Sequence, residues 1–333
     1  MDKETIVIVG SETLAGREVR QVLRESGIDA RVELVAGAAE PGSVISEEAG
    51  EAIVLSGLEA AVVADARVLV LCGSGESSRR ALEQSAARKR PPALVDLTGA
   101  LEDEPSARLR APMVESSGSV AAAGIHVVAQ AASIALAVFL KKLAAAREIR
   151  RVVAVIFEPA SERGQRGLDE LQKQTAALFA FKTLPKEVYD AQVSFNMLPA
   201  WGEEAPQSLA DIEHRMERHL ASLLGLNSPV PMPSLRLIQA PVFHAYTFSL
   251  WIEFAAPPDA DAIAAELASP NIDVRTHDQE PPSNAGVAGQ SGITVGAIQP
   301  DPNNAHACWF WMAADNLRIA AENCVEVTRE LLD

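Results

Sequence analysis

In the first third of the chain, short unbroken apolar runs alternate with longer stretches whose apolar positions recur every three or four residues. Ile6–Val9 reads as a strand closed by Gly10, and helical periodicity follows from Leu14 to about Ser26, where Gly27 is a stop signal. Val32–Ala36 and Val68–Leu71 read as further strands. Gly73-Ser74-Gly75 opens a helix that runs to about Arg88, and Ala93–Asp96 is a fourth strand. His126–Ala129 leads into a helix over Ala131–Leu143, a stretch rich in Ala and Leu with no Gly or Pro inside it. Strands alternating with helices predict a doubly wound parallel sheet, an α/β fold that binds ligands beyond the carboxyl ends of its strands. The loops at 10–16, 36–43, 72–76 and 97–104 are therefore the ones to watch.

The pattern changes after residue 150. Arg151–Phe157 is a strong strand, followed by a helix over Gln165–Phe181 with Leu168, Leu171, Thr175 and Leu178 on one face. Val193–Leu198 reads as a short strand ended by Pro199. Pro206–Leu224 is a second long helix with Leu209, Ile212, Met216, Leu220 and Leu223 as its stripe and Glu213, Arg215, Glu217 and Arg218 on a solvated face. Two strand-like runs flank Pro241 in Leu235–Phe254, and Asp259–Ala268 is helical. Residues 281–292 read as a mobile loop, Ile293–Ile298 and Cys308–Met312 as strands, and Asn316–Leu332 as a closing helix. No internal repeat is visible.

With 333 residues the chain is long enough for two domains. A net charge of −16 argues against nucleic acid or an anionic membrane as a partner. Cys72, Cys308 and Cys324 are far apart, which disfavours a zinc site or a disulfide framework and predicts three small buried hydrophobes and no metal. No apolar run approaches the ~20 residues of a membrane span, and MDKETIVIVG lacks a signal-peptide core. The expectation is a soluble cytoplasmic protein.

Candidate chemistry begins in the first loop, Gly10-Ser11-Glu12-Thr13-Leu14-Ala15-Gly16. Gly10 and Gly16 suit a dinucleotide turn, but Thr13 stands where a glycine would let a pyrophosphate approach the backbone. Glu12 adds negative charge there, and two unit charges roughly 5 Å apart at an effective dielectric of about 20 repel by about 3 kcal/mol. The second strand ends Val35-Ala36-Gly37-Ala38-Ala39-Glu40, with neither an acid for a ribose hydroxyl nor an Arg for a 2′-phosphate directly at its end. The junction at 130–133 offers free N–H groups at a helix start, which stabilise an anion or a thiolate. It carries Gln130, Ala131, Ala132 and Ser133, with no cysteine.

Together, IVIVGSETLAGREV, VDLTGALEDEP, IFEPASERGQRGLDEL, SFNMLP, QAPVFHAYTFSLWIEF and MAADNLRIAAENCVEV resemble the aspartate-semialdehyde dehydrogenase family over essentially the whole chain. The resemblance implies a Rossmann domain, 1–128 with 315–333, and a central α+β dimerisation domain, 129–314. It implies NADP as cofactor and reduction of aspartyl phosphate through a thioester on a cysteine. The family cysteine falls at Ser133, allowing a shift of one or two residues. A family glutamine falls at Glu158, the substrate arginine at Gln239 and the base histidine at Tyr246. Val295-Gly296-Ala297-Ile298-Gln299 stands in place of an arginine-rich strand, and Asp315-Asn316-Leu317-Arg318 matches the start of the last helix. The degenerate cofactor set is thus Gly10, Ser11, Thr13, Leu14, Gly16, Gly73, Ser74 and Asn316.

These replacements point away from acyl-phosphate chemistry. A serine hydroxyl needs a base to attack, tyrosine is a poor base at neutral pH, and glutamine cannot grip a carboxylate as a guanidinium does. His244, two residues before Tyr246, would share its face in a strand and could act as a displaced base. The pattern resembles the Usg-type paralogues, a side branch that keeps the fold and lacks the cysteine, and Ser161-Glu162-Arg163-Gly164 fits that branch. The expectation is a non-catalytic homodimer with a scaffold or regulatory role and no assigned catalytic residue. The alternatives are a working NADP-dependent aspartate-semialdehyde dehydrogenase, an altered enzyme using Ser133, His244 or Tyr246, and a small-ligand sensor.

Overall fold

A computed structural model gives the structure over residues 3–37, 44–48, 51–115, 124–226 and 228–332, with the side chains of 44–48 and 51–54 outside the description. The chain divides into two units, 1–129 with 320–333, and 130–319.

The apolar runs of the first unit become a six-stranded sheet. Its strands are β1 Thr5–Val9, β2 Arg31–Val35, β5 Val68–Leu71, β6 Ala93–Asp96, β7 Ala107–Arg110 and β8 Ile125–Val128. They lie in the order β2-β1-β5-β6-β8-β7, and every pairing is parallel. Strand order reverses between β1 and β5, and the turns after these two strands meet at that switch point. Continuous apolar runs suit strands covered on both faces; β1, β5, β6 and β8 are buried at every position. Val7, Val9, Leu69, Leu71, Leu94 and Val127 form the middle of the core, with Val63, Ala81 and Leu101 against them. Helix α1 Leu14–Ser26 ends at Gly27, whose φ of 70° is the left-handed cap that glycine supplies. The sequence reading missed a short hairpin, β3 Val44–Glu48 with β4 Glu51–Leu55, the one-turn helix α2 Ala60–Asp65, and β7. Helix α3 Gly75–Ala86 is two residues shorter than expected. Buried Arg110, the last residue of β7, pairs with Glu115 at 2.9 Å and with Glu330 at 2.6 Å.

The second unit carries a mixed sheet in the order β10-β9-β11-β14-β13-β12. Its strands are β9 Ile149–Glu158, β10 Ser234–Gln239, β11 Tyr246–Phe254, β12 Ile272–Val274, β13 Ile293–Asp301 and β14 Asn304–Ala314. Helices α4 Ala131–Ala144, α6 Leu209–Leu224 and α7 Ala260–Leu267 cover one face, and the Phe139 ring of α4 meets Phe310 of β14 edge-on at 5.3 Å. On the other face, register aligns Val153, Trp251 and Trp309 across β9, β11 and β14. Helix α5 Gly164–Phe179 follows a 3-10 turn at Ala160–Arg163, and α8 Asn316–Leu332 ends the chain.

Three expectations need correction. Val193–Leu198 is not a strand: Phe195 has φ 62°, the N–H groups of Val193 and Ser194 donate to Gln174 Oε1 at 2.8 and 3.2 Å, and only Leu198 bridges to Gln239. The loop at 281–292 is pinned, because Asn284 donates to Ala245 O, Gly289 N to Asp315 Oδ2 and Trp311 Nε1 to Pro282 O. Glu213 is not simply solvated, since it accepts the N–H of Leu237. Among the described residues, no helix is long and apolar enough to cross a membrane, and no group of His, Cys, Asp or Glu could hold a metal ion.

Candidate functional site

The β1–α1 turn lies at the switch point of the parallel sheet. A Cβ on Gly10, at φ 83°, would sit 2.3 Å from Gly73 Cα, so only glycine lets the turns after β1 and β5 approach this closely. Thr13 is the N-cap of α1: its Oγ1 accepts from Gly16 N at 3.0 Å and shares its proton between Gly10 O at 2.8 Å and Cys72 O at 2.9 Å. The side chain expected to crowd a pyrophosphate thus ties the β1 turn to the end of β5. Glu12 turns towards β2, and its Oε1 accepts from Gly37 N at 2.9 Å while Oε2 is buried without a hydrogen-bond partner. Ser11 is buried and donates to Val35 O, and Leu14 opens the helix. Ser74 forms a capping box with Ser77, each side chain accepting the other's backbone N–H, at 3.1 and 2.9 Å. Ala36 and Gly37 are placed, whereas Ala38, Ala39 and Glu40 lie outside the described residues.

In the second unit the chain enters α4 through Gln130, whose N–H donates to His219 Nδ1 at 3.0 Å. Ser133 is fully buried, and its Oγ donates to Met216 O of α6 at 2.8 Å. Two residues either way stand Ala131, Ala132, Ile134 and Ala135, so the first turn holds no nucleophile other than this helix-packing hydroxyl. The thiols do not replace it. Burial pushes Cys72 and Cys324 well above the ordinary thiol range and Cys308 up to about 11, so none is a thiolate at neutral pH.

Glu158, Gln239 and Tyr246 do come together. Glu158 ends β9 directly opposite Gln239 of β10, and both are completely buried. Gln239 Nε2 donates to Glu158 O and Ala240 O, both at 3.0 Å, which leaves its Oε1 without a partner. Tyr246 Oη donates to Glu158 Oε2 across 3.4 Å. Burial drives the Glu158 carboxyl up to about 7, although Arg163 Nη2 stands 3.5 Å from Oε1 and opposes the rise. Burial, with Glu162 and Glu158 nearby, likewise raises Tyr246 well above the usual phenol range.

Sequence reasoning gave Arg163 no role. Its guanidinium reaches Glu158 and Glu162 and lies 5.5 Å from the Trp201 ring centre. The only signal was the charged pair in the Ser161–Gly164 turn. Asn316 is likewise committed on both sides: Oδ1 accepts from Ser161 Oγ and Ala245 N, both at 3.1 Å, and Nδ2 donates to Glu162 at 2.8 Å. His244 does not share a strand face with Tyr246. It precedes β11, and Ala245 between them has φ 70°.

The first unit is thus a doubly wound parallel α/β sheet of the dinucleotide-binding type, and the second a mixed sheet covered by helices whose strand β9 ends in buried polar groups. The semialdehyde dehydrogenase dimerisation domain matches residues 140–319, and the chain belongs to that family. It is 27% identical to a USG-1 protein homolog of Azotobacter vinelandii over 331 residues, covering 98% of this chain and 97% of the other. It is 30% identical to an aspartate-semialdehyde dehydrogenase of Rickettsia bellii over 204 residues, and that match spans 60% of each chain. Among solved structures, a probable aspartate-semialdehyde dehydrogenase from Pseudomonas aeruginosa superposes with a TM-score of 0.85 at 25% identity, covering 100% of this chain and 99% of the other.

Proposed function

We propose that this chain is a non-catalytic homodimer on the semialdehyde dehydrogenase fold, a cytoplasmic scaffold or regulatory partner rather than a dehydrogenase. The observation that carries the reading is the first turn of α4. Its one hydroxyl, Ser133, is spent on Met216 O, and burial holds every thiol of the chain in its neutral form. Glu158 and Gln239 offer no positive charge to an acyl phosphate, and Arg163, the cation beside them, is paired within the chain.

NADP does not fit the β1 turn as it stands. Thr13 holds the Gly16 N–H and Glu12 the Gly37 N–H, so two backbone donors of these turns are already taken and a carboxylate stands beside the end of β2. Of the candidates outside that turn, Ser74 is engaged in its capping box with Ser77, and Asn316 has both amide ends engaged.

The second reading, a working aspartate-semialdehyde dehydrogenase, is favoured by the name of the Rickettsia bellii relative. The test is turnover of aspartate semialdehyde with phosphate and NADP by the purified chain. Absence of turnover supports the first reading, and turnover above a no-protein control supports the second.

A further inference from the structure

The β1 turn carries a carboxylate that the fold leaves half satisfied. Glu12 Oε1 accepts the Gly37 N–H at 2.9 Å, while Oε2 is buried with no hydrogen-bond partner. Arg17, the nearest arginine along the chain, donates to the Glu12 carbonyl oxygen at 2.8 Å rather than to its carboxylate. A buried carboxylate oxygen without a donor costs free energy, and a ligand that brings the donor recovers it.

The position is fixed by the backbone around it. Gly10 N and Ser11 N both donate to Val35 O, at 2.9 and 3.1 Å, which locks the β1 turn against the end of β2. A Cβ on Gly37 would stand 2.9 Å from Gly73 Cα, 3.0 Å from Gly10 Cα and 3.3 Å from Glu12 Oε1. Three strand ends therefore meet beside this carboxylate, at the switch point of the parallel sheet. Where such a sheet holds a nucleoside, an acid at the end of the second strand accepts from a ribose hydroxyl, and the phosphates lie on the start of the first helix. The sequence puts no acid at Val35-Ala36-Gly37, yet the fold brings Glu12 there from the neighbouring loop. The phosphate end is disposed the other way, because Thr13 stands in place of a glycine and takes the Gly16 N–H.

We infer that Glu12 is a ribose-binding residue and that the crevice beyond β1 and β2 takes an uncharged ribonucleoside. Vicinal hydroxyls supply the donors that the carboxylate lacks, and hydrogen bonds to a charged acceptor are the stronger kind. Glu12 as a whole is half-buried, and the last torsion of a glutamate is broad, so the two oxygens exchange places at little cost. A nucleoside without phosphate uses this end of the crevice and asks nothing of the helix start that Thr13 occupies. This ligand goes beyond the non-catalytic reading and stands or falls apart from it.

The test is isothermal titration calorimetry of the full chain with adenosine, 2′-deoxyadenosine, free ribose and AMP, for wild type and Glu12→Gln. Glutamine keeps an acceptor for the Gly37 N–H and removes the charge, and a urea melt checks that the variant folds. Glu25→Gln, an acid at the far end of α1, is the control. Adenosine is expected to bind wild type and Glu25→Gln equally. 2′-Deoxyadenosine and ribose should bind at least tenfold more weakly, AMP no more tightly than adenosine, and Glu12→Gln should weaken adenosine at least tenfold. Hydrogen exchange on the wild type needs no variant: adenosine should protect amides of the 10–16 turn. No adenosine binding at millimolar concentration, equal binding of 2′-deoxyadenosine, or a folded Glu12→Gln that binds like the wild type overturns the assignment. Ribose binding as tightly as adenosine overturns the nucleoside in favour of a free sugar, and tighter binding of AMP overturns the closed phosphate end. Each of these results leaves the non-catalytic reading intact, since that reading is decided by turnover.

Discussion

Replacing Glu12 and Thr13 should open the nucleotide turn. In the wild type the Glu12 carboxylate accepts the Gly37 N–H at 2.9 Å and brings negative charge to the β1 turn. Repulsion from a phosphate roughly 5 Å away is about 3 kcal/mol at an effective dielectric of about 20, less once salt screens it. Glu12→Ala removes that repulsion and frees the Gly37 N–H; Thr13→Gly frees the Gly16 N–H and clears the side chain. Because about 1.4 kcal/mol is tenfold in affinity, Glu12→Ala should tighten NADP binding by roughly one to two orders of magnitude, and the double variant by more. The cost is a charge-assisted hydrogen bond of about 1.5–3 kcal/mol from Glu12, and about 1 kcal/mol from the Thr13 link to Cys72 O. Isothermal titration calorimetry of NADP into each variant, with a urea melt as control, reads both effects. If the folded double variant binds NADP no more tightly than the wild type, the closure of this turn by Glu12 and Thr13 is refuted.

Glu158→Gln should flatten the pH dependence of stability. Burial raises the carboxyl from 4.5 to about 7, so the folded state binds this proton more tightly than the unfolded chain does. The stability it contributes is complete below about pH 4.5 and is lost as pH rises through about 7, roughly 3 kcal/mol in all. Urea melts at pH 5 and pH 8 should show the wild type losing more than the variant, whereas parallel losses contradict the shift. Ser133→Ala should cost about 0.5–1.5 kcal/mol in a urea melt through the Met216 O bond and leave nucleotide binding unchanged; a tenfold change in NADP affinity would give Ser133 a role the geometry denies it. Glu170→Ala strands the N–H groups of Val188 and Tyr189 and should cost about 2–4 kcal/mol, with faster hydrogen exchange at both; a loss under about 0.5 kcal/mol would show that Glu170 does not hold this segment.

The parallel sheet was legible because its signals are local. Val68–Leu71 is an unbroken apolar run and Ala93–Asp96 an apolar run closed by an aspartate, both found where expected, and α1 runs from Leu14 to Ser26 with Gly27 as its cap. Strand β7, Ala107–Arg110, was missed because two of its four residues are arginines, and Arg110 is buried against two carboxylates, Glu115 nearby and Glu330 far along the chain. Val193–Leu198 looked like a strand by composition, but a side-chain amide on α5 claims the N–H groups a ladder would have used. At the candidate site, the residue types at 133, 158, 239 and 246 were readable one by one. The pairing of Arg163 with Glu158 was not, because it joins the end of β9 to the turn that follows. Thr13 was visible as a missing glycine, yet its bond to Cys72 O exists only when β1 and β5 lie side by side. The shared face drawn for His244 and Tyr246 failed because Ala245 takes a left-handed conformation that periodicity does not reveal.

The central claim is that the fold persists here without dehydrogenase chemistry. Calorimetry of NADP and NAD with the purified wild-type chain, paired with an assay of aspartate semialdehyde, phosphate and NADP, tests it most directly. The account predicts no measurable nucleotide heat and no reduced cofactor. Tight NADP binding with turnover would contradict it and would require a nucleophile other than Ser133 and the three buried thiols.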